Sequence, residues 1–153
     1  MILVDTSGLL AALDAAQRLH REAAASLAAA SPPLLLSPFV LAELDYLLAT
    51  RVGVAARMSL LSEVQRGALQ LETFSATDVR AAVAIIERHA DLAISLADAS
   101  IVVLASRHKI QDVLTLDQRH FRLLAANDKP FRLLPPITDP VLRRTRQRAQ
   151  PAR

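Results

Sequence analysis

The sequence contains no cysteine and no tryptophan, it has only three glycines, and aromatic residues make up 3% of it. Without cysteine, the chain cannot form disulfides, thiolate zinc sites or a cysteine nucleophile. Its glycines, Gly8, Gly53 and Gly67, are too far apart to form a glycine-rich phosphate-binding loop. Neither the Gly-x-Ser-x-Gly motif of serine hydrolases nor the His-Glu-x-x-His zinc motif occurs. These absences exclude several enzyme classes and direct attention to the acidic residues.

Apolar residues make up 52% of the 153-residue sequence. A chain of this length forms one domain with a substantial core, which here must consist mainly of leucine, valine, isoleucine and alanine. No basic segment precedes an apolar one at the start, and no apolar run reaches membrane length. The sequence therefore predicts neither a signal peptide nor a membrane span. Together with the absence of cysteine, this favours a cytoplasmic protein.

The positive charge of the chain is concentrated at its end. The formal net charge is +3, but five arginines and no acids follow Asp139, namely Arg143, Arg144, Arg146, Arg148 and Arg153. Without these arginines, 13 basic and 15 acidic residues remain. We therefore divide the chain into a domain of residues 1–136 and a basic, disordered tail of residues 137–153. Such a tail either contacts nucleic acid or is only a solvated end, and both explanations stay open.

Short apolar runs rich in β-forming residues alternate with longer helical stretches. The predicted strands are residues 2–4, 34–36, 68–74, 113–116 and 131–134. The predicted helices are residues 9–30, with a break near 14–15, then 38–50, 54–66, 79–89, 95–107 and 118–126. This alternation predicts an α/β fold with a parallel sheet and helices on both faces.

Two acidic residues follow predicted strands directly. Asp5 comes after the buried run 2–4, and Asp117 comes after the run 113–116. In open α/β sheets the carboxyl ends of the strands form the edge where ligands bind. Either carboxylate is equally able to cap the helix that follows it, so the structural and the functional interpretation both remain.

A third acid, Glu43, lies at the edge of the apolar stripe of the 38–50 helix. It neighbours Val40 and Leu47 at three and four residues' separation, whereas Asp45 points roughly the other way. A carboxylate at the edge of a core face is unfavourable unless another group pairs with it. The structural alternatives are a buried pair with an arginine or a side chain that reaches out to solvent.

The fourth acid, Asp98, opens a helix that is apolar almost all round. Its neighbours at three, four and seven residues' separation are Ile101, Val102 and Ala105, and such a helix is normally buried. Ser95 and Asp98 also have the spacing of a capping box, which is the structural alternative. A first-turn carboxylate can serve both roles.

These four acids are expected to converge on one edge of the sheet. Clustered carboxylates raise each other's pKa, so structure alone rarely gathers them. A hard cation such as Mg²⁺, which binds a few carboxylates and water, removes the conflict. Hydrolysis of a phosphodiester is the chemistry that needs this arrangement.

Four sequence segments carry a family resemblance: Ile2-Leu-Val-Asp5-Thr-Ser, Ala42-Glu43-Leu, Leu96-Ala-Asp98-Ala and Leu114-Thr-Leu-Asp117-Gln-Arg-His-Phe121. In their order and spacing they resemble the motifs of PIN-domain nucleases, and most closely those of VapC-type toxins of toxin–antitoxin pairs. The resemblance covers residues 1–136. It implies a three-layer PIN-like fold with a five-stranded parallel sheet between helices.

The resemblance also implies a site and a function. The implied ligands of Mg²⁺ or Mn²⁺ are Asp5, Glu43, Asp98 and, as a more variable fourth, Asp117, with supporting hydroxyls from Thr6 and Thr115. The implied activity is that of a metal-dependent endoribonuclease acting on an RNA such as tRNA or rRNA. The implied partners are a second copy of the chain and a VapB-like antitoxin.

Two other functions remain open at this point. One is a PIN-domain nuclease in RNA processing or on structured DNA, and the other is a catalytically silent PIN-like binding module. The presence of all four acids argues against the silent module.

Overall fold

The computed structural model describes residues 1–136, so the tail predicted for residues 137–153 lies outside the described residues. The sheet strands are β1 (Ile2–Val4), β2 (Leu34–Leu36), β3 (Leu69–Leu71), β4 (Asp112–Leu114) and β7 (Arg132–Leu134). They form one parallel sheet in the order β3-β2-β1-β4-β7. Strands β5 (Ala125–Ala126) and β6 (Lys129–Pro130) form a separate antiparallel hairpin.

Helices flank the sheet. They are α1 (Thr6–Leu13), α2 (His20–Ala29), α3 (Pro38–Leu47), α4 (Val54–Gln65), α5 (Ala76–Arg88), α6 (Leu96–His108) and α7 (Gln118–Phe121). A π-helical turn (Leu48–Val52) follows α3, and a 3-10 turn (Ala90–Leu92) precedes α6. The predicted α/β class, with a five-stranded parallel sheet between helices, is confirmed. None of the helices within residues 1–136 is long and apolar enough to cross a membrane.

The core is aliphatic, as the composition indicates. Leu3, Val4, Leu36 and Leu114 of the three central strands are fully buried, as expected for strands covered on both faces. Helix α6 is buried along most of its length, which agrees with its nearly continuous apolar surface. Truncating one of these buried leucines to alanine typically costs about 2–5 kcal/mol.

Most helix boundaries differ from the sequence prediction by three residues or fewer, and two places differ more. Residues 14–19 separate α1 from α2, because the Asp14 carboxylate accepts hydrogen bonds from the Ala16 N–H and the Gln17 side chain. The helix predicted to reach residue 126 ends at Phe121 instead. The residues beyond it form the β5–β6 hairpin, whose turn residues have positive φ (51° and 60°), as a type I′ turn requires.

Gly8 allows α1 to approach β4 closely. A Cβ atom at this position would lie 2.4 Å from the Leu114 carbonyl oxygen, so any other residue would force α1 away from the strand. The Asp5 N–H, at the start of the same helix, donates to that carbonyl at 2.9 Å. Helix α1 therefore begins directly at the carboxyl ends of β1 and β4.

Candidate active site

One open cleft of about 530 Å³ lies at the carboxyl ends of the central strands. It is lined by the four acids singled out in the sequence and by six other residues: Asp5, Glu43, Asp98, Asp117, Thr6, Ser7, Leu10, Tyr46, Leu47 and Ser95. The chain runs from β1 to β2 and β3 on one side, then returns to β4 on the other side of β1. The cleft is thus at the point where the strand order reverses, the usual ligand site of open α/β sheets.

Asp5 is the buried member of the four, with 4% of its surface exposed. Its Oδ2 accepts hydrogen bonds from the Ser7 hydroxyl (2.6 Å), the Thr115 hydroxyl (2.8 Å) and the Ser7 N–H (3.3 Å). Burial raises the pKa of Asp5 to about 6, and the charge of Asp98 adds to the rise. The hydrogen bonds from Ser7 and Thr115 oppose it. Asp5 caps α1 and faces the cleft as well, so its two interpretations are compatible.

Ser7 connects the two strand ends, a role that the sequence analysis missed. Its Oγ accepts from the N–H groups of Leu116 (2.9 Å) and Asp117 (3.3 Å), and it lies 3.2 Å from the Thr115 Oγ1. Because the same hydroxyl donates to Asp5, one side chain fixes both Asp5 and the backbone of Asp117. The only local signal was a hydroxyl two residues after a strand-ending aspartate, a common turn motif.

Glu43 extends from α3 into the cleft with an exposed side chain. Its Oε2 accepts a hydrogen bond from the Thr6 hydroxyl at 2.5 Å. The buried pair with an arginine, considered as the structural alternative, is not found within residues 1–136. The guanidinium of Arg57 binds the other acid of this helix, Asp45, with two hydrogen bonds of 2.5 and 3.0 Å.

Asp98 forms the expected capping box. Its Oδ2 accepts from the N–H (2.8 Å) and hydroxyl (2.9 Å) of Ser95, whose Oγ accepts the Asp98 N–H at 3.1 Å. The side chain is only partly buried and also lines the cleft. The cap occupies Oδ2 and leaves Oδ1 for another partner.

Asp117 caps the short helix α7 by accepting the His120 N–H at 3.3 Å. Its Oδ2 lies 2.9 Å from the His120 Nδ1, but the direction of approach does not give a hydrogen bond, and this buried nitrogen has no other partner among residues 1–136. Asp117 also lines the cleft, three residues after the end of β4.

The donor set of the cleft suits a hard divalent cation, because all candidate ligands are oxygens and most are carboxylates. In the arrangement of residues 1–136, however, no three acidic or histidine side chains are gathered closely enough to hold one ion together. Each carboxylate instead contacts a nearby hydroxyl or backbone N–H, as expected for like charges that repel each other. The oxygen donors are of the kind that a hard cation binds, but their positions in this structure do not form a complete binding site.

Comparison with known proteins identifies the family. The sequence model of the PIN domain matches residues 2–127. The chain belongs to the PIN-domain family. Ribonuclease VapC26 of Mycobacterium tuberculosis (strain ATCC 25618 / H37Rv) is 43% identical over 123 residues, which cover 80% of this chain and 91% of that protein.

Solved structures agree with the fold. The crystal structure of Mycobacterium tuberculosis VapC20, described as a sarcin-ricin loop cleaving toxin, superposes with a TM-score of 0.76 and 25% identity, covering 85% of this chain and 100% of that one. FitAcB from Neisseria gonorrhoeae gives a TM-score of 0.51 and 23% identity, over 74% and 85% of the two chains, and is a likeness of fold only. The resemblance to VapC-type PIN-domain ribonucleases, predicted from four short motifs, is confirmed.

Proposed function

We propose that this chain hydrolyses RNA phosphodiester bonds at the four-acid cleft with the help of Mg²⁺ or Mn²⁺. The class of the protein, a PIN-domain endoribonuclease of a toxin–antitoxin system, follows from the family match and the identity to VapC26. The metal dependence and the residue roles are our proposal. The observation that supports them best is the convergence of Asp5, Glu43, Asp98 and Asp117, from four different elements, on one cleft.

In this proposal Asp5, Glu43 and Asp98 hold the cation, and Asp117 helps to hold it or a second one. The ion would lower the pKa of bound water and stabilise the charge that develops on the phosphoryl oxygens. A pKa of about 6 leaves Asp5 mostly ionised at neutral pH, as a metal ligand must be. A cleaved RNA is expected to carry a 5′-phosphate and a 3′-hydroxyl.

The hydroxyl residues would set the orientation of these ligands. Thr6 holds one oxygen of Glu43, while Thr115 and Ser7 hold one oxygen of Asp5. Each of these contacts leaves the second carboxylate oxygen available for the cation. Partners that orient metal ligands in this way typically contribute a factor of 10–100 to affinity or activity.

The proposed partners are the RNA, a cognate antitoxin and a second copy of the chain, in the cytoplasm. VapC20 acts on the sarcin-ricin loop according to its description, which makes rRNA one candidate substrate, and tRNA is another. An arginine of the antitoxin would suit the acidic cleft, since a guanidinium binds carboxylates in a two-pronged manner. Raising the Mn²⁺ concentration should then relieve inhibition by the antitoxin. If inhibition does not change with the Mn²⁺ concentration, the antitoxin does not compete with the metal in the cleft.

The test is an incubation of the purified protein with total RNA in EDTA, Mg²⁺ or Mn²⁺, followed by mapping of the new 5′ ends. We expect cuts at one or a few sites only when metal is present. Asp5→Asn should lose them, whereas Asp45→Asn, a matched control that only removes the Arg57 ion pair, should keep them. Cleavage that persists in EDTA would contradict the metal site.

The same incubation addresses the remaining alternatives. Broad cleavage of structured DNA, or precise maturation of one RNA precursor, would indicate a processing enzyme. Tight RNA binding without cleavage under all metal conditions would indicate a silent binding module.

A further inference from the structure

The aromatic side chains of the chain divide into two groups. Each of the four phenylalanines packs edge-to-face on another, with ring centroids 5.1 Å apart for Phe39 and Phe74 and 5.9 Å apart for Phe121 and Phe131. The fifth aromatic residue, Tyr46, is 68% exposed and packs on no other ring among the described residues. The fold therefore uses every phenylalanine for packing and leaves the tyrosine outside the core.

The position of Tyr46 distinguishes it from other exposed apolar side chains. Met58 and Leu123 are similarly exposed, at 57% and 60%, but neither lines the acidic cleft. Tyr46 does line it, and it follows Glu43 by three residues on α3, which puts both side chains on the same face one helical turn apart. A flat apolar ring thus stands at the edge of a cleft that is otherwise lined by carboxylates and hydroxyls.

We propose that Tyr46 stacks on a nucleobase next to the phosphate that is cleaved. This inference rests on the proposed function: if the scissile phosphate is bound at the acids, the bases flanking it lie at the rim of the cleft. Acidic side chains repel the RNA backbone, so much of the affinity must come from other groups. Aromatic side chains that stack on unpaired bases are a general means of binding single-stranded RNA.

The kinetic test compares Tyr46→Ala and Tyr46→Phe on an RNA oligonucleotide that spans the mapped cleavage site. Stacking contributes enough per base that Tyr46→Ala should raise KM by roughly 5- to 100-fold while kcat changes little. Tyr46→Phe keeps the ring and should behave as wild type. Leu123→Ala, at a similarly exposed position outside the cleft, is the matched control and should leave KM unchanged.

A spectroscopic test is available because Tyr46 is the only tyrosine of the chain. Protein labelled with 3-fluorotyrosine will give a single ¹⁹F signal, which reports on this ring alone. In EDTA, so that the RNA stays intact, the same oligonucleotide should shift that signal. An oligonucleotide with abasic sites on either side of the cleavage position should bind more weakly and shift it less.

The outcomes separate this inference from the proposed function. Wild-type protein that never cleaves RNA would contradict the proposed function. Normal metal-dependent cleavage with an unchanged KM in Tyr46→Ala would contradict only the stacking. If Tyr46→Ala instead weakens self-association in sedimentation or weakens antitoxin binding, with KM unchanged, the ring belongs to a protein interface and the stacking proposal is wrong.

Discussion

Helices α5 and α6 begin with the same local structure. The Oδ2 of Asp78 accepts the N–H and hydroxyl of Ser75 at 2.6 and 2.7 Å, just as Asp98 accepts those of Ser95. The two aspartates differ in the surroundings of their second carboxylate oxygen, Oδ1. Asp78 Oδ1 pairs with Arg107 at 2.6 Å, whereas Asp98 faces the acidic cleft and has no ion-pair partner among residues 1–136.

The comparison shows what a capping box requires and what it leaves free. One carboxylate oxygen is enough to cap a helix, so the other can be used for a purpose unrelated to the helix. At α5 that oxygen completes an ion pair within the protein. At α6 it adds negative charge to a cleft that other acids also line, and a positively charged ligand would stabilise this arrangement.

The pKa values of the two regions move in opposite directions. The Ser75 N–H and then Arg107 lower the pKa of Asp78 from its ordinary value of 3.8 to about 2. In the cleft, burial and then the charge of Asp98 raise the pKa of Asp5 to about 6. The charges around Asp78 therefore stabilise the protein without a ligand, whereas those around Asp5 do not.

The largest expected difference between the two caps is in catalysis. Asp98→Asn should reduce metal-dependent RNA cleavage by at least about 100-fold, because residues that merely orient metal ligands already contribute 10–100-fold. Asp78→Asn should leave cleavage near the wild-type rate. Initial rates at saturating Mn²⁺ measure this, and comparable losses in the two variants would mean that both acids are structural.

The second prediction concerns pH. Because the pKa of Asp5 is raised on folding, the free energy of unfolding in EDTA should fall as the pH rises from 3.8 to about 6. A shift of this size corresponds to about 3 kcal/mol. The Asp5→Asn variant should not lose stability in this way. Denaturant unfolding of the variant and of wild type between pH 3.8 and about 6 measures the difference.

The pH dependence of stability that Asp78 contributes should have the opposite sign. Its lowered pKa stabilises the fold above pH 3.8, and this contribution is lost as the pH falls towards 2. Asp78→Asn should therefore be less acid-sensitive than wild type. A pH profile that is the same for wild type and both variants would contradict the contrast between the two regions.

The third prediction compares melting temperatures without and with metal. In EDTA, Asp98→Asn should melt at or above the wild-type temperature, since it removes like-charge repulsion while keeping the shape of the cap. Asp78→Asn should melt lower, since it loses an ion pair. Wild type at 100 times the Kd for Mn²⁺ gains about 2.7 kcal/mol, and Asp98→Asn should gain clearly less.

The smallest expected effects are those of substitutions at the two N-cap serines, Ser75 and Ser95. Ser75→Ala and Ser95→Ala should each reduce stability by about 1 kcal/mol, the usual cost of losing an N-cap hydroxyl. Only Ser95→Ala should also alter the Mn²⁺ dependence of cleavage, because only Ser95 holds an acid of the cleft. Equal effects of the two substitutions on cleavage would show that the cap does not position Asp98.

Several features predicted correctly from the sequence are encoded locally. The strand of residues 2–4, the Ser37–Pro38 helix start and the Ser95–Asp98 capping box each depend on side chains within a few residues of one another. The contacts that were not predicted join distant parts of the chain. Thr6 binds Glu43 across 37 positions, and Ser7 binds the backbone of Leu116 across 109.

No local pattern distinguishes such hydroxyls from ordinary turn residues, because the order of the strands in the sheet determines which residues lie next to them. The same holds for Arg57, which binds Asp45 rather than Glu43, and for the exposed ring of Tyr46. The sequence therefore predicts which residues reach the sheet edge, while the three-dimensional structure decides what each one contacts there.

The Ser7 contact has a consequence for biosynthesis. Helix α1 and the end of β4 are joined by hydrogen bonds that span about 110 positions of the chain. During translation, Asp5 emerges from the ribosome long before Thr115 and Asp117. Strand β1 cannot pair with β4 until that later segment has also emerged. Parallel pairings of such long range form late and slowly. The cleft is therefore completed only after the segment that carries Thr115 and Asp117 has been synthesised, whereas β1 and β2 can pair earlier.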